Sequence, residues 1–266
     1  MLLRAINAEF RKFFSTRLWW GMAIAVFVVS VIFAVLFGFL MTMEQTGVPA
    51  DQQFGGTPVE VANSVYTGGL QVAYLLTLAV GVLHIGSEYR HKTITMTFLS
   101  VPKRTIVMSA KVISLLVIGA FYGLVSLLGS VGAGAATLSF RGAEVFPDAE
   151  VGRTLALSLL VLGLWALIGL GAGILIPNQV AALLIAIGLA WIVEPLLGLA
   201  LSFWDWGAEH VVQYLPSAAT QAMVQGVAPP SGGAQLEWWG GALVLAAYAA
   251  VLAGFGSWRT VRSDIS

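Results

Sequence analysis

The sequence is poor in charged residues and contains no cysteine. Only 10% of its 266 residues are charged, 58% are hydrophobic, and the mean hydropathy is +0.89. Soluble domains carry about 25% charged residues, so this composition excludes an ordinary soluble domain and indicates a membrane protein. The absence of cysteine excludes disulfides, thiolate catalysis and cysteine-ligated metals. The formal net charge of zero gives no indication of nucleic acid as a partner.

The motifs of nucleotide-hydrolysing and hydrolytic enzymes are also missing. The chain has no Gly-x4-Gly-Lys-Ser/Thr loop, no Gly-x-Ser-x-Gly turn and no His-Glu-x-x-His pair. No apolar run contains two acidic residues. We therefore expect that the chain cannot hydrolyse ATP alone, and that it has no catalytic residue and no cofactor of its own.

Six apolar runs are long enough to cross a membrane as helices, which takes about 20 residues each. They cover residues 19–41, 66–87, 112–138, 154–176, 180–203 and 238–258. The first run is too long for the apolar part of a signal peptide and has no small-residue cleavage site after it, so we expect it to remain as a span. The sequence thus predicts an all-α membrane protein with six transmembrane helices.

Lysine and arginine are distributed unequally between the two sides of these spans. The side of the N-terminus holds Arg4, Arg11, Lys12, Arg17, Arg90, Lys92, Lys103, Arg104, Lys111, Arg259 and Arg262, and the other side holds only Arg141 and Arg153. Because the basic side of a membrane protein faces the cytoplasm, we expect both termini, including the tail 259–266, to be cytoplasmic. The predicted location is the plasma membrane, with several crossings.

Residues 1–18 have apolar side chains at helical spacing, at Leu3, Ile6, Phe10, Phe13 and Phe14. This pattern predicts an amphipathic helix that lies in the inner interface, with Arg4, Arg11 and Lys12 towards the lipid headgroups. It serves either as a simple anchor or as a lever between the first span and a cytoplasmic partner.

The segment 88–111 is the longest predicted cytoplasmic loop between spans, since the other consists only of residues 177–179. Thr93 is placed to cap a short helix with an apolar face, and Pro102 ends that helix. Three residues cannot reach far into a partner, so the contact with a cytoplasmic partner falls to the loop 88–111.

Two spans carry features of a possible substrate path. Gly119 and Gly123 form a Gly-x-x-x-Gly pair that permits close helix contact, and packing within the chain is favoured over dimerisation. Glu194 is a carboxylate inside the fifth span, which is costly and functional by default, and Pro195 beside it should bend the helix. The outer segment 204–237 is apolar enough to re-enter the membrane, with short helices on either side of Pro216.

Two other interpretations remain open from the residues. His84, Glu88 and His91 share one helical face at i, i+4 and i+7, and such a set could bind zinc in an intramembrane metallohydrolase. Three polar residues at a span end are more often interfacial, so no metal is expected. The other interpretation is a membrane scaffold that transports nothing.

The loop 88–111 resembles the ABC-2 family of permeases, the membrane subunits of ATP-binding-cassette exporters. The residues that carry the resemblance are Glu88, Thr93-Ile94, Pro102, Arg104 and Lys111, and Tyr214-Leu215-Pro216-Ser217-Ala218 is similar to the segment between the last two spans of the family. Lys92 stands where many relatives carry glycine.

This resemblance implies a permease that works as two copies, each docked by a cytoplasmic ABC ATPase that binds ATP and Mg²⁺. Two copies also suit a chain of 28.1 kDa, which has little room for a pathway of its own. The ATPase-coupling candidates are Glu88, Arg90, Thr93, Phe98, Pro102, Arg104 and Lys111, and the substrate-path candidates are Glu194, Pro195, Gly119 and Gly123. The exported substrate would be a drug, peptide, lipid or ion.

Overall fold

A computed structural model describes residues 1–43, 56–93, 103–225 and 236–262 of the chain, and every regular element in these ranges is helical. The α-helices are α1 (Leu2–Phe14), α2 (Leu18–Met41), α3 (Pro58–Thr67), α4 (Leu70–Arg90), α5 (Arg104–Phe140), α6 (Ala149–Leu175), α7 (Gln179–Gly188), α8 (Glu194–Ser202), α9 (Asp205–His210), α10 (Pro216–Val224) and α11 (Trp238–Arg262). A π-helical turn, Leu189–Val193, joins α7 to α8, and a 3₁₀ turn, Val212–Tyr214, precedes α10.

Six helical stretches are long and apolar enough to cross a membrane. They are Leu18–Met41, Pro58–Arg90, Arg104–Phe140, Ala149–Leu175, Gln179–Ser202 and Trp238–Gly256. The prediction of an all-helical protein with six candidate spans is therefore confirmed. The helices of the second and third spans extend beyond the predicted apolar runs 66–87 and 112–138, because a helix does not end where the hydrocarbon does.

Helix α6 lies at the centre of the bundle and packs against α4, α5 and α11. Glycine permits the closest of these contacts. A Cβ atom on Gly119 would come within 2.6 Å of the Leu162 carbonyl oxygen, and one on Gly123 would meet the backbone of Leu159. The predicted Gly-x-x-x-Gly pair therefore packs against α6 of the same chain rather than lining a cavity.

The fifth span is interrupted where its proline stands. Pro195 has no N–H to donate to the preceding turn, and its ring is incompatible with a regular turn around it. The helix widens to the π turn Leu189–Val193 directly before α8, which is a common way to absorb such an irregularity. The predicted bend thus takes the form of a local π turn.

The outer segment after the fifth span returns to the bundle. Helix α10 begins at Pro216, as expected, and packs against α6 and α11. Its residues Ala219 and Met223 are fully buried. The predicted short helices on either side of Pro216 are present, and residues 226–235 lie outside the described part of the chain.

The segments predicted to lie on the same side of the membrane contact one another at the same end of the bundle. Arg141 donates to the backbone of Thr42, and the hydroxyl of Tyr66, at the outer end of the predicted second span, donates to the carbonyl of Val145. The predicted inner segments meet at the opposite end, where Lys12 lies beside Glu88. Which of the two ends faces the cytoplasm stays a prediction.

We expect Gly119→Ala to destabilise the bundle, because a methyl group there forces α5 away from α6. Overpacking of this kind costs about 1–3 kcal/mol, which exceeds the helix propensity that alanine gains over glycine, about 1 kcal/mol. Thermal unfolding of the purified protein in one detergent measures the change.

The matched control is Gly132→Ala in the same helix, where a Cβ atom would meet nothing within 4 Å. This variant should be neutral or slightly stabilised. If both variants unfold at the same temperature, the contact between α5 and α6 does not depend on glycine.

Candidate functional site

Five titratable side chains meet where α1 crosses the end of α4 and the beginning of α5. The ammonium of Lys111 lies 2.8 Å from Glu9 Oε2 and 2.7 Å from Glu88 Oε1. The ammonium of Lys12 lies 2.8 Å from Glu9 Oε1 and 2.9 Å from Glu88 Oε1. His84 Nε2 is 2.9 Å from Glu9 Oε2. We call these five residues the inner cluster.

The inner cluster is buried and balanced in charge. Lys111 is 0% exposed, Glu9 2% and Glu88 5%, whereas Lys12 reaches the surface. Two carboxylates face two ammonium groups, and each lysine bridges both acids. Removing ions from water costs several kcal/mol each, so the cluster is stable only because every charge has partners of opposite sign within hydrogen-bond distance.

The pKa values of the two α1 residues move so that both stay charged. Burial would raise the pKa of the Glu9 carboxyl, but the hydrogen bond from His84 and the charge of Lys111 outweigh it, and the pKa lies well below its usual range. Burial would lower the pKa of the Lys12 ammonium, but the hydrogen bonds to Glu88 and Glu9 raise it above its ordinary value. Because Glu9 is ionised, His84 Nε2 is the donor of their hydrogen bond.

Glu9 was not among the residues that the sequence analysis selected. It lies three residues after Ile6 and four before Phe13, on the apolar face of α1. An acidic residue on that face is the signal that could have identified it, because an unpaired carboxylate would not face lipid. Phe13 packs edge-on against Tyr122 of α5 and holds the same face of α1 against the bundle.

The expected position of Lys12 was wrong. Its ammonium was predicted to face the lipid headgroups, but it turns towards the bundle and bonds to Glu9 and Glu88. Two carboxylates within reach outweigh the attraction of a solvated phosphate, since both are fixed and one hydrogen bond away. Helix α1 is therefore attached to α4 and α5 through charge as well as through its phenylalanines.

The residues of the predicted coupling loop divide into buried and exposed groups. Helix α4 continues to Arg90 and α5 begins at Arg104, so the connection is shorter than 88–111. Glu88 and Lys111 are buried in the inner cluster, whereas Arg90 and Thr93 are exposed beside it. Arg104 is half-buried at the start of α5. Phe98, Pro102 and the predicted helix between Thr93 and Pro102 lie outside the described residues.

Helix α4 is followed by a residue with a left-handed backbone conformation. Lys92 has a φ of 53°, in the left-handed region that favours glycine. The turn after α4 is thus of a kind that glycine adopts freely, and here lysine adopts it.

The three residues of the metal interpretation do not converge. His84 is engaged by Glu9, Glu88 Oε1 accepts from two lysines, and His91 is exposed at the end of α4. No group of three histidine or acidic side chains that could hold a metal occurs in the described ranges. The geometry of these residues is that of an ion-pair network.

A groove of about 410 Å³ opens beside the inner cluster, between α1, the end of α4 and the beginning of α7. Glu88 Oε2 and Gln179 Oε1 both belong to residues of its wall. Each atom is buried and has no hydrogen-bond partner among the described residues. The wall of the groove therefore includes two polar side chains that each have a buried acceptor without a donor.

A second groove, of about 360 Å³, lies between α6, the fifth span and α11. It is lined by apolar side chains, with Glu194 in its wall. The carboxylate of Glu194 accepts a hydrogen bond from the backbone N–H of Ser217 at the beginning of α10. Pro195 follows at the start of α8. We call this the Glu194 groove.

We expect Lys111→Met to destabilise the protein strongly, by about 3–5 kcal/mol, because it leaves two buried carboxylates with one partly exposed ammonium. Lys103→Met is the matched control, since Lys103 directly precedes α5, the helix of Lys111, and is exposed. Equilibrium unfolding in mixed micelles measures both.

The double variant Glu9→Gln/Lys111→Met removes one charge of each sign. Its loss of stability should be smaller than the sum of the two single losses. Strict additivity, or equal losses for Lys111→Met and Lys103→Met, would contradict the cluster as a coupled unit.

Comparison with known proteins adds no family: no protein-family model matches the chain, and no curated protein matches it.

Proposed function

We propose that this chain is the membrane subunit of an ABC exporter, which moves a substrate out of the cytoplasm and is driven by a separate ATPase. Three features support the proposal: six candidate spans, the absence of a nucleotide-binding loop from the sequence, and the resemblance of the segment around Glu88 to the ABC-2 permeases. The observation that carries it is the inner cluster.

The inner cluster joins the three elements that a partner at the inner end would contact. Helix α1 bonds through Glu9 and Lys12 to the end of α4 at Glu88 and to the beginning of α5 at Lys111. A displacement of the segment between α4 and α5 therefore reaches the second and third spans together with α1. In this interpretation α1 is the lever, and the cluster keeps the lever and the two spans in register.

The exposed residues around the cluster are the proposed contact surface for the ATPase. Arg90 and Thr93 are at the surface, and the groove beside the inner cluster has Glu88 and Gln179 in its wall. A lysine or arginine of the ATPase that enters this groove would offer a donor to Glu88 Oε2 or Gln179 Oε1, because a buried acceptor left without a donor costs about 1–3 kcal/mol. Glu88 would then link the docked partner to the cluster.

A second copy of the chain is proposed to pack against part of the fifth span, at Trp191 and Leu196. Trp191 lies near the middle of this span and is 65% exposed, whereas tryptophan favours the interfaces of a membrane over its centre. Its indole N–H has no acceptor in hydrocarbon. Leu196 on the same span is also exposed. A protein surface packed against this span would remove both from lipid.

We expect the chain to retain an ABC ATPase when it is co-expressed with the candidate from the neighbouring reading frame and purified through a tag. Arg90→Glu should weaken this association, because it reverses an exposed charge on the contact surface. Arg141→Glu at the opposite end is the control and should leave it unchanged. The amount of ATPase that copurifies, and its hydrolysis rate in liposomes, measure the effect.

Two outcomes would contradict this function. One is that no nucleotide-binding chain copurifies from detergent or from nanodiscs. The other is that Arg90→Glu and Glu88→Gln both leave the hydrolysis rate and export unchanged.

We expect Leu196→Cys to give crosslinked dimers in membranes when treated with a bifunctional maleimide. The natural chain has no cysteine, so the introduced thiol is the only one that reacts. Leu128→Cys is the control, because Leu128 is exposed on α5, a helix that packs mainly against α1, α2 and α6. Equal crosslinking at both positions would indicate random collision and would refute the fifth span as the contact between copies.

A further inference from the structure

The Glu194 groove contains a buried acid that forms no ion pair among the described residues. Glu194 is 7% exposed, and no lysine, arginine or histidine of the described residues forms an ion pair with it. This differs from Glu9 and Glu88, which have cationic partners. The groove therefore carries one uncompensated acidic group in an apolar wall.

Burial in an apolar wall disfavours the ionised form of this acid, and one neighbouring helix supports it. The N–H of Ser217 bonds to its Oε1, and Ser217 belongs to the first turn of α10, a helix of nine residues. The N-terminus of a helix carries a partial positive charge that stabilises a carboxylate. Half a charge from the helix cannot neutralise a whole one, and a ligand with a positive charge would complete the balance.

Two aromatic side chains belong to the wall of the groove, the buried Trp165 and the partly exposed Tyr248. Trp165 is fixed by stacking on Tyr74 at a centroid distance of 4.1 Å and by a hydrogen bond from its Nε1 to Thr220. Tyr248 of α11 lines the groove as well. The faces of tryptophan and tyrosine attract organic cations, so the aromatic rings and the carboxylate favour the same sign of charge.

The groove opens sideways, along the fifth span. Ile185, Leu189 and Leu197 line it and are each about half exposed, so a ligand reaches it from the hydrocarbon of the membrane. Its volume of about 360 Å³ lies in the range of sites for small organic molecules, about 300–1,000 Å³. A ligand that arrives by this route must itself be mostly apolar.

We propose that the Glu194 groove binds monovalent organic cations with bulky apolar substituents, which enter from the membrane. An anion of the same shape would be repelled by Glu194, and a neutral molecule would leave the acid uncompensated. The further step that this ligand is the exported substrate rests on the proposed function. The binding itself does not require an ATPase.

The test uses tetraphenylphosphonium and tetraphenylborate, which have the same shape and opposite charge. Binding to the purified chain in phosphatidylcholine nanodiscs is measured without ATPase and corrected for uptake by empty nanodiscs. The natural chain should bind the cation saturably and the anion not at all. Glu194→Gln should weaken binding of the cation about tenfold or more, whereas Glu237→Gln, at an exposed outer acid, should not change it.

A second variant keeps the test valid if Glu194→Gln does not fold. Ala172→Phe fills the groove from α6 while the Glu194 side chain is retained, and it should abolish binding of the cation. Equal binding of both probes, retention of the cation by both groove variants, or no binding to the natural chain would overturn the proposal. None of these results bears on whether an ATPase copurifies, so the failure of one proposal can be distinguished from the failure of the other.

Discussion

The structure depends on the neutralisation of four charges inside its inner end. Glu9, Glu88 and Lys111 are buried and pair with one another and with the partly exposed Lys12, and each buried charge would be prohibitive alone. An apolar contact between α1 and the bundle would tolerate sliding by a turn, because lipid and leucine are similar environments. Ion pairs of 2.7–2.9 Å do not tolerate it, so the cluster fixes the register of α1 against α4 and α5 rather than adding much net stability.

Rigidity is unevenly distributed around this fixed end. Helix α6 packs against α4 and α5 at glycines whose backbones touch, as at Gly119 and Gly163, and such contacts admit little movement. The fifth span is different, because most of its residues are exposed and its π turn leaves it irregular in the middle. Elements with few buried contacts are the ones that open at low cost. A movement imposed at the inner end would therefore carry α4, α5 and α6 together and change the Glu194 groove, which lies between this unit and the fifth span.

The fold and the site differed in how far they could be predicted from the sequence. The six spans, the irregularity at Pro195 and the helix that begins at Pro216 follow from local chemistry, since hydropathy and a missing N–H act on their own segment. The inner cluster depends on contacts between residues 9, 12, 84, 88 and 111, which no local pattern relates. Lys12 shows the consequence: on an isolated amphipathic helix its place is at the headgroups, and only the position of Glu88 reverses this. Glu88 and Lys111 were assigned to one predicted loop, whereas in the structure they belong to the helices α4 and α5 and are buried.

The inner cluster and the Glu194 groove differ in charge balance, and this difference favours a different role for each. The inner cluster satisfies its own charges, so a small ion or molecule gains little by entering it, and its proposed role is to transmit movement. The Glu194 groove has a carboxylate, a helix N-terminus that supports the ionised form, and two aromatic faces, but no cation of its own in the described residues. A site whose charge is incomplete gains free energy when a ligand completes it, whereas a site that is already balanced loses free energy when a ligand intrudes. The separation of a balanced cluster at one end from an unbalanced groove along the fifth span is therefore what a protein needs if force is received at one place and the ligand is held at another.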